Sequence, residues 1–246
     1  MNTRDRILLG LQYLLGHLAM VVTMPLAFLT IRLFGYRIRD LKRVRAEVAR
    51  LYREHPGAWL ICPNHLTLID SALISYGMFS LAGHILRFRR VPWNLPERDN
   101  FQTNPFLTLL CYLYKCLPVN RGGSREDLQK LFESCILLLE DRQSLLIFPE
   151  GGRSRIGRVD RENYSYGVGR FVEDCPHIRV LLVYLRGDGQ QEYGDIPRFG
   201  ERFTMAVEAF DPVREAGSGL RVQREYARRI VGRLADLEER HLAPPG

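Results

Sequence analysis

The chain has 246 residues, 46% of them hydrophobic, which excludes a disordered chain and a multi-span membrane protein and allows one well-buried catalytic domain. Its 35 Lys and Arg against 28 Asp and Glu leave a net charge of +7, which favours an anionic partner: nucleic acid, a membrane surface or a phosphorylated substrate. The five cysteines (Cys62, Cys111, Cys116, Cys135 and Cys175) are odd in number and form no C-x-x-C pair, so they read as buried thiols of a reducing compartment rather than as a disulfide framework or a zinc site.

The first feature along the chain is the apolar stretch 7–34. No small-residue cleavage site closes it, as a signal peptide would require. It is long enough to span a bilayer, which takes about 20 apolar residues. However, Pro25 divides it, and Gln12 and His17 interrupt its apolar face. Arg4 and Arg6 precede it, and Arg32, Arg37, Arg39, Lys42, Arg43 and Arg45 follow. Positive charge at both ends disfavours moving either across a membrane. The pattern predicts a bent helical hairpin lying in one leaflet at the cytoplasmic face, monotopic or peripheral, with a single span as the rival reading. Residues 1–45 then form a membrane-associated segment with a basic connector, and residues 46–246 the catalytic domain.

Within that domain, Trp59 to Cys62 reads as a buried strand and Leu68 to Phe79 as a helix. Thr103 to Tyr114 reads as a helix with Pro105 in its first turn, and Leu117 to Asn120 as a short extended piece. Ser124 starts a helix that runs to about Leu139, with Asp127 three residues on as its capping partner. Ser144 to Phe148, Ile178 to Tyr184 and Phe203 to Phe210 read as strands. A last helix, Leu220 to Leu242, places Val222, Tyr226, Ile230, Leu234 and Leu237 near one face. Strands alternating with helices indicate an α/β domain, a mixed central sheet flanked by helices, and chemistry in such folds gathers at the carboxyl ends of strands. Asn64-His65, Asn120-Arg121 and Pro149-Glu150-Gly151 each follow a predicted strand.

His65 and Asp70 lie five residues apart. On a continuous helix they would point about 140° apart, so they meet only if a turn intervenes. Thr67 is a candidate N-cap that supplies such a turn. Asp70 would then fix one imidazole tautomer and leave the other nitrogen for a substrate hydroxyl. The competing reading is a capping box beside an ordinary polar loop, and a short motif of this kind decides little alone. The second candidate is the run from Phe148 to Arg155. Gly151 and Gly152 allow close backbone approach and an anion-binding nest, Arg153 or Arg155 offers a bidentate phosphate contact, and Glu150 can hold a polar acceptor group or an arginine. The third is Arg121, at the mouth of a capped helix, where phosphate is favoured.

Taken together and in this order, the three segments resemble the glycerolipid acyltransferase superfamily, typified by 1-acylglycerol-3-phosphate acyltransferases. Asn64-His65-Leu66-Thr67-Leu68-Ile69-Asp70 is similar to its H-x4-D motif, Arg121 to the arginine of its second block, and Phe148-Pro149-Glu150-Gly151 to its third. The likeness covers roughly Trp59 to Leu185. It implies a single acyltransferase domain, His65 and Asp70 as catalytic residues, and Arg121, Glu150, Gly151, Gly152 and Arg153 as substrate-binding residues. It also implies acyl-carrier-protein or acyl-coenzyme A thioesters as donors, an N-terminal membrane-seated helical motif, and no metal or cofactor. Two departures leave the acceptor open between 1-acylglycerol-3-phosphate, which the resemblance puts first, glycerol-3-phosphate and a lyso-ornithine-type lipid. The third block continues with Gly152 in place of the usual threonine, and Val180 to Leu185 carries no proline.

Three other function classes compete. Cys62, three residues before His65, is a candidate nucleophile, and no G-x-S-x-G serine elbow is present. A lipid-binding or membrane-tethering protein needs the basic face and the apolar stretch but not His65. A nucleic-acid binder is disfavoured, because the arginines are spread along the chain and no recognised binding motif stands out.

Overall fold

The computed structural model describes residues 3–120, 122–191, 193–213 and 216–242. The chain opens with one long helix, α1 (Thr3–Leu33), followed by an edge strand β1 (Arg37–Ile38) and helix α2 (Leu41–Glu54). Strand β2 (Trp59–Pro63) leads into α3 (Asp70–Met78) and α4 (Leu81–Leu86), and a 3-10 turn (Phe88–Arg90) precedes β3 (Trp93–Asn94). Then come α5 (Arg98–Phe101), α6 (Pro105–Leu113), α7 (Arg125–Glu140), β4 (Leu145–Leu146), α8 (Gly167–Asp174), β5 (Arg179–Gly187), β6 (Arg202–Phe210) and α9 (Leu220–Leu242).

The strands form a six-stranded mixed sheet in the order β1-β6-β5-β2-β4-β3. β2 pairs in parallel with both β4 and β5, β3 pairs in parallel with β4, and β5 and β6 form a long antiparallel pair. β2 is buried along its whole length, as a central strand covered on both faces must be. Its side chains alternate between two cores. Trp59 and Ile61 face a core built with α1, α2 and α3, while Leu60 and Cys62 face one built with α7, α8 and α9. The two clusters fill the two sides of a helix–sheet–helix sandwich.

Local chemistry sets several element ends as the sequence predicts. The Asn104 side chain accepts from the Leu107 N–H with Pro105 at the first helical position, and Ser124 accepts from the Asp127 N–H. All five stripe residues of α9 are buried, and all five cysteines are free and buried. The predicted strand 144–148 is shorter: it spans Leu145–Leu146, the Ile147 N–H still donates to the Ile61 carbonyl at 2.9 Å, and the chain then leaves the sheet toward the site. The basic connector packs onto the sheet as regular structure. Arg37–Ile38 pairs with β6, and α2 runs straight through the expected 45/46 boundary because Val44, Val48, Leu51 and Tyr52 form one buried stripe.

The expected hairpin is replaced by a single helix that continues through Pro25. The physical reason is a buried stripe at a spacing of four, Gln12, Gly16, Met20, Met24 and Phe28, which packs on the same side before and after the proline. Proline costs that helix one hydrogen bond, and the side-chain burial on either side holds its course. The opposite side leaves Leu18, Val22, Leu26 and Leu33 exposed, and α1 is long and apolar enough to cross or anchor to a membrane. Gly16 is the point of closest approach, since a Cβ there would sit 2.7 Å from the Leu113 carbonyl oxygen of α6. Gly16→Leu should push α1 off α6, at a cost of about 1–3 kcal/mol. Thermal unfolding should show a Tm lower by roughly 2–4 °C per kcal/mol, with faster proteolysis ahead of β1.

Candidate active site

Three parallel strands, β2, β4 and β3, end side by side, and the segments leaving their carboxyl ends line one cavity of about 830 Å³. From β2 come His65, Leu68 and Ser71; from β4, Phe148 and Glu150 to Arg153; from β3, Asn94 to Glu97. Val119, from the extended piece that bridges to Glu97, and the turn 163–165 complete the wall.

Asn64 fixes the exit from β2. Its Nδ2 donates to the Leu185 carbonyl at 2.9 Å and its Oδ1 accepts from the Leu185 N–H at 2.7 Å, so it holds two contacts of β5 where the β2 ladder ends. The chain then turns sharply and Asp70 opens α3. His65 Nδ1 lies 3.0 Å from Asp70 Oδ2. The same Oδ2 accepts from the backbone N–H groups of Leu66 at 2.6 Å and Thr67 at 2.7 Å, and the Thr67 hydroxyl donates to Oδ1. This reverses the capping expected of Thr67: the carboxylate of the first helical residue reaches back and ties the turn, and Thr67 serves it as a donor. Since Asp70 acts only as an acceptor when ionised, Nδ1 carries the proton and Nε2 is left bare. Among the described residues Nε2 makes no hydrogen bond. The imidazole stacks on Phe148 with ring centres 3.8 Å apart and planes 17° apart, which sets its second orientation axis.

Among the described residues, Glu150 holds no arginine. Its Oε1 accepts from the His65 N–H at 3.0 Å, and Ser154 N–H donates to the His65 carbonyl at 2.9 Å, so the 148–155 segment grips the backbone of His65 from two sides. Burial pushes the Glu150 carboxyl up to about 8, against the nearby N–H groups of His65 and Asp160. Gly151 adopts φ +70°, and its N–H donates to Phe148 O at 3.0 Å; Gly152, which also lines the cavity, is the one of the pair whose N–H makes no backbone hydrogen bond among the described residues. Arg153 lines the cavity, but its Nη1 donates to Gly194 O at 2.9 Å and pairs with Asp195. Arg121 lies outside the described residues. The Cys62 thiol is fully buried in the far-side core, where desolvation raises its pKa well above the ordinary thiol range.

Several cavity residues escaped sequence reading. Asn94 and Glu97 follow a strand of only two residues, too short to show a period, and Tyr164 and Ser165 sit in a turn without periodicity. Asn64 was visible as part of a motif, but its reach of 121 residues to Leu185 was not.

Glu150 links site geometry to stability. Between its ordinary value of 4.5 and about 8, the folded chain keeps a proton that the unfolded chain releases. Rising pH through that window therefore favours unfolding, and the effect levels off above it. Glu150→Gln removes this dependence while keeping an acceptor for His65. Unfolding scans from about pH 5 to about pH 8.5 should show the wild-type Tm falling and the variant's falling less, with the gap widening by on the order of 5 °C.

No curated protein matches the chain. A family model described as Acyltransferase matches residues 37–183, from the edge strand β1 to the middle of β5, and this segment holds the His65–Asp70 pair and the turn that grips it. The match spans more than half of the sequence, and the chain belongs to the acyltransferase family.

Proposed function

We propose that the protein transfers a fatty acyl group from an acyl-carrier-protein or acyl-coenzyme A thioester to a hydroxyl of a lysophospholipid-type acceptor, 1-acylglycerol-3-phosphate first among them. The single observation that carries this reading is the His65 Nδ1–Asp70 contact, with Nε2 unengaged at the wall of a cavity of about 830 Å³. His65 Nε2 takes the proton of the acceptor hydroxyl as its oxygen attacks the thioester carbonyl carbon. Asp70 stabilises the resulting imidazolium. The tetrahedral oxyanion collapses, the C–S bond breaks, and the thiolate leaves with the proton from Nε2. The N–H groups of Leu66 and Thr67 are occupied by Asp70, so the Gly152 N–H is the donor offered to the oxyanion. Arg121, with Arg153 after exchange of its Asp195 partner, is assigned to the acceptor phosphate.

Seating on the membrane follows from the same helix. The outer face of α1 continues onto Phe106 and Leu109 of α6 and onto Leu86, which is 81% exposed. With its other face packed on the domain and cations at both ends, α1 lies along the surface of one leaflet on the cytoplasmic side, where thioester donors are available.

His65→Ala should lower turnover by roughly 10²–10⁴-fold with vesicle binding intact. Asp70→Asn should lose turnover by a similar order, because the amide no longer fixes the tautomer. Cys62→Ala should retain turnover. Labelled acyl donors offered with 1-acylglycerol-3-phosphate, glycerol-3-phosphate and lyso-ornithine lipid identify the acceptor. Unchanged activity in His65→Ala would overturn the reading and leave a lipid-binding protein.

A further inference from the structure

At the opposite end of the sheet from His65, the amino ends of β2 and β4 border a second cavity of about 450 Å³. Four arginines line it, Arg87, Arg89, Arg90 and Arg142, together with Tyr52 and Ser144. A five-residue strand rises about 17 Å, so this cavity is separate from the catalytic one. The four cations are poorly compensated. Arg89 pairs with Asp141, and Arg90 lies over the Tyr52 ring with its carbon 5.7 Å from the ring centre. Among the described residues, Arg87, Arg90 and Arg142 have no carboxylate partner. Arg142 is held there in a left-handed backbone conformation, φ +57°, which is uncommon outside glycine. Like charges gathered around one hollow repel each other, and a bound anion relieves that repulsion. Guanidinium groups match phosphate oxygens in pairs.

The hollow does not end in water on every side. Tyr52, Arg87 and Arg90 also line an adjoining crevice of about 120 Å³, whose other walls are Val48, Ala49, Met78 and Phe79 between α2 and α4, with Arg45, Ser80 and Gly83 at its edge. A polar, cationic chamber thus opens into a narrow one whose walls are apolar on the α2 and α3 side and cationic at Arg45, Arg87 and Arg90. α4 leads straight to the membrane face: Ile85 O lies 2.8 Å from His17 Nε2 of α1, and the next residue, Leu86, is the exposed leucine beside Arg87. A small soluble phosphate would leave the apolar crevice unused, whereas an amphiphile fills both.

We propose that this arginine-lined cavity is a second lipid site, which binds the phosphate headgroup of an anionic phospholipid of the membrane with the start of its apolar part in the α2–α4 crevice. The proposal rests on the seating of α1 at the bilayer. The bound lipid is not a substrate: it lies across the sheet from His65 and fixes the orientation of the domain on the surface.

The test uses the full chain, detergent-free, with vesicles of phosphatidylcholine alone and vesicles containing about 30% phosphatidylglycerol, a composition that supplies a strong anionic surface. Wild type should bind the anionic vesicles about 10–100-fold more tightly, the range expected for a few arginines at such a surface. The triple variant Arg87→Gln, Arg90→Gln, Arg142→Gln should lose that preference while keeping its Tm, its binding to neutral vesicles and its acyl transfer in detergent micelles. A triple variant that keeps the preference overturns the proposal. So does an equal loss in Arg221→Gln, Arg224→Gln on α9, which would assign the effect to diffuse charge. Binding of pyrophosphate that vanishes in the triple variant while the vesicle preference stays would assign the pocket to a soluble phosphate and equally overturn it. Equal wild-type binding to both vesicle types sinks the lipid site alone, whereas failure to bind any vesicle sinks the seating of α1.

Discussion

The chemistry proposed for this fold hangs from the carboxylate of Asp70. One side chain accepts from the imidazole it orients, from two backbone N–H groups of the turn that carries that imidazole, and from the hydroxyl of Thr67. The same atoms therefore close the loop and select the tautomer. A buried carboxylate is costly unless it is satisfied, and here every donor that satisfies it belongs to the segment 65–67. Loss of the charge would release the loop and the base together.

The sheet supplies the frame on which that contact can exist. Asn64 bonds both backbone groups of Leu185, so the exit of β2 is fixed to β5 before the turn begins. Glu150 and Ser154 take the N–H and the carbonyl of His65 from the other neighbour, the β4 exit. Phe148 covers the face of the ring. Preorganisation of this kind holds the imidazole at rigid strand ends rather than on a free loop, the arrangement that the proposed role as base requires. Glu150 carries a cost for its place: desolvation keeps its proton on, and as a neutral acid it still accepts from His65.

The side of the molecule that carries the long apolar helix is built by different means. α1 is held by its own apolar stripe, by Gln12 Nε2 bonding the carbonyls of Tyr112 and Cys116, and by Tyr13, whose ring lies near the buried ammonium of Lys115. Lys115 donates to the carbonyls of Phe88 and Val91 and is bordered by Phe88 and Trp93 as well. Burial lowers its pKa well below the usual lysine value, so these carbonyls and rings are what make the site tolerable for a cation. This long apolar helix is thereby keyed to the same turn that leads to the arginine-lined cavity.

The alternation of strand and helix, the capped starts at Asn104-Pro105 and Ser124, the α9 stripe and the chemistry-bearing segments at strand ends were legible along the chain, because each depends on period, capping residue or local spacing. The nearness of His65 and Asp70 was legible as a requirement for a turn, although the turn's donor and acceptor roles were not. It took the folded arrangement to reveal that Glu150 serves the backbone of His65, that Arg153 is engaged by Asp195, that Asn94 and Glu97 line the same cavity, and that α1 runs unbroken past Pro25. Each of those depends on a partner far away in sequence, such as the 85 residues between His65 and Glu150. Local pattern carries no information about which strand end lies beside which. The order of strands in the sheet sets that, and burial against a distant face can outweigh what a single proline prefers.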